Sequence, residues 1–174
     1  MSEGILLPPV TRGVLLPENE RAGRLEEALP QIRAVVAGET DAVSLEATLA
    51  CLLWQTFVQA NWCGFYRRVG ESMLAVGPYQ GGMGCLRIDF ARGVCGAAAR
   101  TGQVQRVDDV RAFPAHIACD DDTRSELVVP VVVGDVVRAV LDLDSPHLAG
   151  FSAHEAALVT SLVADVLGHP SVNY

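Results

Sequence analysis

Leu127-Val128-Val129-Pro130-Val131-Val132-Val133, then Gly134-Asp135, then Val136-Val137-Arg138-Ala139-Val140-Leu141-Asp142-Leu143 is the stretch that decides the fold. Two runs rich in β-branched residues flank a two-residue Gly-Asp turn, the pattern of a β-hairpin. Both faces of both strands are apolar, which predicts a sheet covered on each side by helices or other layers. Shorter strand-like segments at 62–68, 73–77, 85–90 and 104–107 are punctuated by Gly70, Gly77-Pro78 and Gly81-Gly82. With the hairpin they make about six strands, and the short connections predict a mostly antiparallel sheet. A parallel, doubly wound fold would need regular alternation of strand and helix, which is missing.

Helices complete an α+β class. One is expected over about 20–37, kinked or divided by Pro30 and stopped by Gly38. A second is expected over 42–60, capped by Asp41 or Thr40, with Leu45, Leu49, Leu52, Leu53 and Thr56 as one buried stripe. Cys51 on that helix reads as a small core residue. A helix of small residues spans about 93–101 and ends at Gly102. The last, about 153–167, opens with a Ser152/Glu155 capping box. The polar segment 108–125 contains Pro114 and reads as a long loop, a length that marks function or disorder in a compact domain. Residues 1–19, with Pro8, Pro9 and Pro17, read as an irregular, mobile leader, and 20–170 as a single domain.

Composition narrows the chemistry. A chain of 174 residues can bury about 70% of its unfolded surface, enough for an ordinary core. Its net charge of −8 disfavours binding to a nucleic-acid backbone, where clustered cations supply most of the affinity. All 13 basic residues are Arg, so there is no lysine for a Walker A loop, a kinase strand or a Schiff base. Five cysteines, at 51, 63, 85, 95 and 119, are too few and odd in number for a disulfide scaffold. The N-terminus lacks a basic region and a long apolar run, and no stretch reaches about 18 uninterrupted apolar residues. A reducing cytoplasm and no membrane partner are therefore expected, and there thiols are catalytic, metal-binding or plain core.

Two groups of residues could carry chemistry. Cys119 lies in the long polar loop, in His116-Ile117-Ala118-Cys119-Asp120, where a cysteine does no ordinary core work. His116 and Cys119 are half a metal site with no second close pair, so no metal is expected. Cys85 begins a strand and Cys95 sits in Arg92-Gly93-Val94-Cys95-Gly96; spacing alone fits buried spacers as well as redox partners. The second group is acidic. Asp142 and Asp144 are two apart on a strand and face the same way, with Leu141 and Leu143 facing the other. Counting outward from the turn sets Glu126 near 143, beside this pair. A solvated strand edge explains the same pattern, but three crowded acids in a cleft would repel and raise at least one pKa.

These residues, with Asn61-Trp62-Cys63-Gly64-Phe65-Tyr66, Gly77-Pro78-Tyr79-Gln80-Gly81, Val104-Gln105-Arg106-Val107, Ser125-Glu126 and Leu141-Asp142-Leu143-Asp144-Ser145, resemble the free methionine-(R)-sulfoxide reductases, a family of stand-alone GAF domains. The resemblance covers about residues 20–167. It implies a GAF-like antiparallel sheet flanked by helices, with Cys119 as catalytic cysteine and Cys85 and Cys95 as the resolving pair. It also implies that Glu126, Asp142 and Asp144 hold the substrate and polarise its sulfoxide, and that Trp62 and Tyr66 line the pocket around its methyl group. Free methionine sulfoxide as substrate, thioredoxin as external reductant with no bound cofactor, and a homodimer follow from the same resemblance. Cys63, where the family often has alanine, Arg138-Ala139 and the leader depart from its pattern.

Magnitudes indicate where the catalytic power of such a site would lie. Lowering a thiol pKa by about 2 units raises the thiolate fraction roughly tenfold. With a Brønsted slope of about 0.4–0.5, nucleophilicity falls by nearly as much. A general acid that protonates the leaving oxygen contributes about 10²–10⁴-fold. The acids therefore matter most, and a free α-ammonium gives them a partner that a peptide-bonded methionine lacks. A ligand-sensing GAF module and a peroxide-sensing thiol switch are the competing readings; both use the same pocket or thiols without sulfoxide turnover.

Overall fold

The hairpin forms the heart of a six-stranded sheet. The computed structural model describes residues 5–114 and 121–174, so the segment bearing Cys119 lies outside the described residues. The elements run α1 (Glu18–Val35), α2 (Ala42–Thr56), β1 (Trp62–Arg68), β2 (Met73–Gly81), β3 (Arg87–Asp89), α3 (Gly93–Thr101), β4 (Gln105–Val107), a 3₁₀ turn (Val110–Ala112), β5 (Ser125–Val133), β6 (Val136–Ser145) and α4 (Ala153–Val166). Strand order is β3-β2-β1-β6-β5-β4, and every neighbouring pair is antiparallel. No described helix is long and apolar enough to cross a membrane.

The register of the hairpin differs from the one counted from its turn. Val133 pairs with Val136 and Val132 with Val137, but Val131 then pairs with Ala139. Arg138 is the extra residue of a β-bulge. An unbroken hairpin would set Glu126 opposite Leu143, on the face away from Asp142 and Asp144. The bulge moves the pairing by one residue, and Glu126 lands opposite Asp144. Pro130 is tolerated inside β5 because β4 pairs only as far as Val128, leaving that edge open.

Each face has its own core. Cys63, Phe65, Leu127, Val129, Leu141 and Leu143 point to one side, where α1, α2 and α4 cover them. Trp62, Tyr66, Val128 and Val140 point to the other, against Val94, Cys95, Ala98 and Ala99 of α3. Apolar residues on both strand faces are thus accounted for by two separate layers.

Several boundaries differ from expectation. α1 runs undivided through Pro30. Pro30 is exposed, whereas Leu25, Ala28, Leu29 and Ile32 bury the opposite side and hold the helix across the missing hydrogen bond. α2 stops at Thr56, four residues early. Its terminal carbonyls are taken by two arginines: Arg24 donates to Gln55 O at 2.9 Å and Thr56 O at 3.0 Å, and Arg12 to Trp54 O at 2.6 Å. The N-cap of α2 is Asp41, which accepts from the Ser44 amide. β2 continues through Gly77-Pro78 to Gly81, with a register shift opposite Gly64–Tyr66.

The leader passes into α1 at Glu18; its described residues before that, 5–17, form no helix or strand but are bonded along their length. Leu6 exchanges hydrogen bonds with the Gln31 side chain, and Arg24 donates to Pro8 O. Arg12 stacks its guanidinium 3.3 Å over Trp54 and donates to Ala60 O. The Gly13 amide donates to Val58 O, and Gly13 O meets His147 Nε2 at 2.9 Å.

Candidate active site

Three strands bring the predicted residues into one row. Trp62 of β1 pairs with Asp144 of β6, which pairs with Glu126 of β5. One step along, Gly64 pairs with Asp142, which pairs with Val128. Trp62, Tyr66, Asp142, Asp144 and Glu126 therefore share the face beneath α3. Carboxylate oxygens of Glu126, Asp142 and Asp144 all lie within 4.8 Å of one another. Glu126 and Asp142 are buried and Asp144 half-buried. Among the described residues this is the group that could hold a cation.

Burial sets the protonation of the site. Asp142, with little water to solvate a charge, is pushed up to about 7; the thiol of Cys95 and the amide of Leu143 pull it partly back. Glu126 rises well above the ordinary carboxylate range, first through burial and then through the charge of Asp142. Near neutral pH the site thus keeps a proton on its acids. Cys95, on the first turn of α3, is buried and faces Asp142. Burial and then the Asp142 and Glu126 charges push its thiol far up, so it stays protonated. Tyr66 is likewise held as a neutral phenol by burial and by Asp142, and the Cys85 amide reaches its oxygen.

An aromatic wall closes one side. Trp62 stacks on Tyr66 and on Tyr79, in each case at 5.3 Å between ring centroids. Tyr79 fits because Gly64 has no side chain: a Cβ there would come within 2.2 Å of Tyr79 Cβ. Gly84, just before Cys85, packs against the same wall, where a Cβ would lie 2.6 Å from Tyr66 Oη and 3.3 Å from Trp62 Nε1. Tyr79 was not singled out from the sequence as a site residue. Its signal was its place in Gly77-Pro78-Tyr79-Gln80-Gly81, opposite a strand glycine.

The thiols divide. Cys85 is disulfide-bonded, whereas Cys51, Cys63 and Cys95 are free. Cys63 lies on the opposite sheet face, fully buried, in the core under α1, α2 and α4. Cys51 is half-buried, its sulfur accepting from Gln55 Nε2 at 3.5 Å.

The GAF domain family profile matches residues 25–168. Over 133 residues the chain is 41% identical to the free methionine-R-sulfoxide reductase of Escherichia coli, covering 76% of this chain and 80% of that protein. This chain belongs to the GAF-fold free methionine-R-sulfoxide reductase family. Bacillus subtilis protein YtsP is 44% identical over 68% of this chain and 73% of its own length. Among solved structures, the Neisseria meningitidis free methionine-R-sulfoxide reductase in complex with its substrate superposes with a TM-score of 0.80 at 40% identity, covering 91% of this chain and 93% of that one. In this reductase-family fold, the acids, Trp62, Tyr66, Cys85 and Cys95 are gathered at one end of the sheet, and Cys119 is the one predicted site residue outside the described segments.

Proposed function

We propose that this protein is an oxidoreductase that reduces free methionine (R)-sulfoxide to methionine. The observation that carries the reading is the trio Glu126, Asp142 and Asp144, oxygens within 4.8 Å, with Glu126 and Asp142 buried beside an aromatic wall and holding protons near pH 7. Asp142 Oδ1 is buried without a hydrogen-bond partner among the described residues, and a polar ligand would relieve that cost. The acids attract the α-ammonium of a free amino acid, and a protonated carboxyl beside it donates to the sulfoxide oxygen. Trp62 and Tyr66 supply the apolar wall for the methyl group.

In the proposed cycle the Cys119 sulfur attacks the substrate sulfur and the oxygen passes to it. Methionine leaves with its sulfur reduced, and Cys119 becomes a sulfenic acid. A second thiol condenses with that sulfenic acid, forming a disulfide and releasing water. Cys85 suits this role better than Cys95: Cys85 is already in a disulfide, while Cys95 is a free, strongly protonated thiol turned toward Asp142. Thioredoxin, giving two electrons and two protons, restores both thiols. No bound cofactor takes part, and the 18.5 kDa chain acts as a homodimer in the cytoplasm.

The test is consumption of free methionine (R)-sulfoxide with thioredoxin recycling, run beside the S epimer and a peptide-bonded form. Turnover confined to the free R form supports the reading. Tight binding without turnover, or hydrogen peroxide as the preferred oxidant, overturns it.

A further inference from the structure

Trp62 presents an anomaly. Only 4% of it is exposed, and its indole Nε1 has no hydrogen-bond partner among the described residues. A buried N–H left unpaired costs about 1–3 kcal/mol, and proteins rarely carry that cost without a use. The ring itself is satisfied, stacked on Tyr66 and Tyr79. What it has left to offer is the N–H on its edge, and that edge faces the backbone of Gly84, next to disulfide-bonded Cys85.

We propose that the indole N–H of Trp62 donates a hydrogen bond to the sulfoxide oxygen of the substrate, in addition to any contact its ring makes with the methyl group. The inference rests on the reductase reading above and names the atom this side chain recognises. Its neighbours decide which oxygen is meant. Trp62 lies directly across from Asp144 on the adjacent strand, and Asp144 lies across from Glu126. An α-carboxylate seated at the N–H would face Asp144, and like charges in directly opposed positions repel. A sulfoxide oxygen has no net charge and accepts hydrogen bonds through more than one lone pair. It can take the indole N–H on one side and the proton of a buried acid on the other. Both donors favour the polarised S–O bond on which sulfur attack depends, and the N–H does so without a proton transfer.

The experiment uses reduced, full-length Cys119→Ser protein, which binds without turning over, and measures affinity for free methionine (R)-sulfoxide and for methionine. Adding Trp62→Phe should weaken sulfoxide binding about tenfold, one lost hydrogen bond, and leave methionine within about twofold. Replacing Trp62 by benzothienylalanine, which keeps the bicyclic shape and exchanges N–H for sulfur, should reproduce the same selective loss. Equal weakening of both ligands, or full sulfoxide affinity in the benzothienyl protein, overturns the assignment. Failure of the Cys119→Ser parent to bind either compound overturns the reductase reading itself.

Discussion

Asp142 and Glu126 keep protons at a pH where exposed carboxylates have lost them, and their chemistry and their energetic cost share that cause. Glu126→Gln and Asp142→Asn should each lower kcat/KM by about 10²–10⁴-fold, while the Cys119 thiol alkylates at its usual rate. A parallel loss of alkylation would indicate a collapsed pocket instead. Turnover should also decline as pH rises through about 7, where Asp142 gives up its proton. Stability follows the same sign. An unfolded Asp ionises near about 4, so between about 4 and 7 the native state holds a proton that the unfolded chain has released. Stability is then greatest below the unfolded value and drains away as pH rises through the native one. Asp142→Asn should therefore melt higher than the parent at pH 8, with the difference closing toward pH 4. A variant that melts lower at pH 8 refutes the argument.

The strands and helices show what was readable and what was not. The β-branched runs in 127–143 and the turn at Gly134-Asp135 specify the hairpin, and the i, i+2 spacing puts Asp142 and Asp144 on one face. The bulge at Arg138 left no such signal, because no residue type demands it there, and so the counted register missed by one. Tyr79 escaped notice because its role depends on the emptiness of Gly64, a relation between two strands rather than within one. The early end of α2 was hidden for a similar reason: its capping donors, Arg12 and Arg24, lie more than thirty positions upstream. Deleting Arg138 removes only the unpaired residue, so Val132–Val137 and Val131–Ala139 should join in an unbroken ladder, Glu126 should stay opposite Asp144, and turnover should persist in a folded protein with unchanged far-ultraviolet circular dichroism. Arg138→Ala keeps the residue count and should keep near-parental turnover. Loss of turnover in the deletion alone would show that the acid trio needs the bulge itself and not only the ladder beyond it.

At the scale of the whole molecule, two cores lie back to back across the sheet, and the thinner one, under α3, carries the proposed site. The thicker one is strapped by the leader. Arg12 contributes charge-assisted bonds to Trp54 O and Ala60 O and a stacking contact on Trp54. Arg12→Ala should reduce unfolding free energy by about 1–3 kcal/mol, read from urea titration, without changing turnover of the folded protein. Unchanged stability would mean that the strap adds nothing.

The displaced pairing at Arg138 also governs how the gene can vary in length. Side chains alternate between faces with a period of two, so the tract joining the bulge to the acids obeys a parity rule. An odd insertion on one arm turns that arm's acids to the other face, Glu126 on β5 or Asp142 and Asp144 on β6, and only even changes, matched on both arms, leave the trio intact. Natural or engineered length variants should accordingly collect at the tips of the turns and be scarce between residues 126 and 144 on the strand side of the bulge.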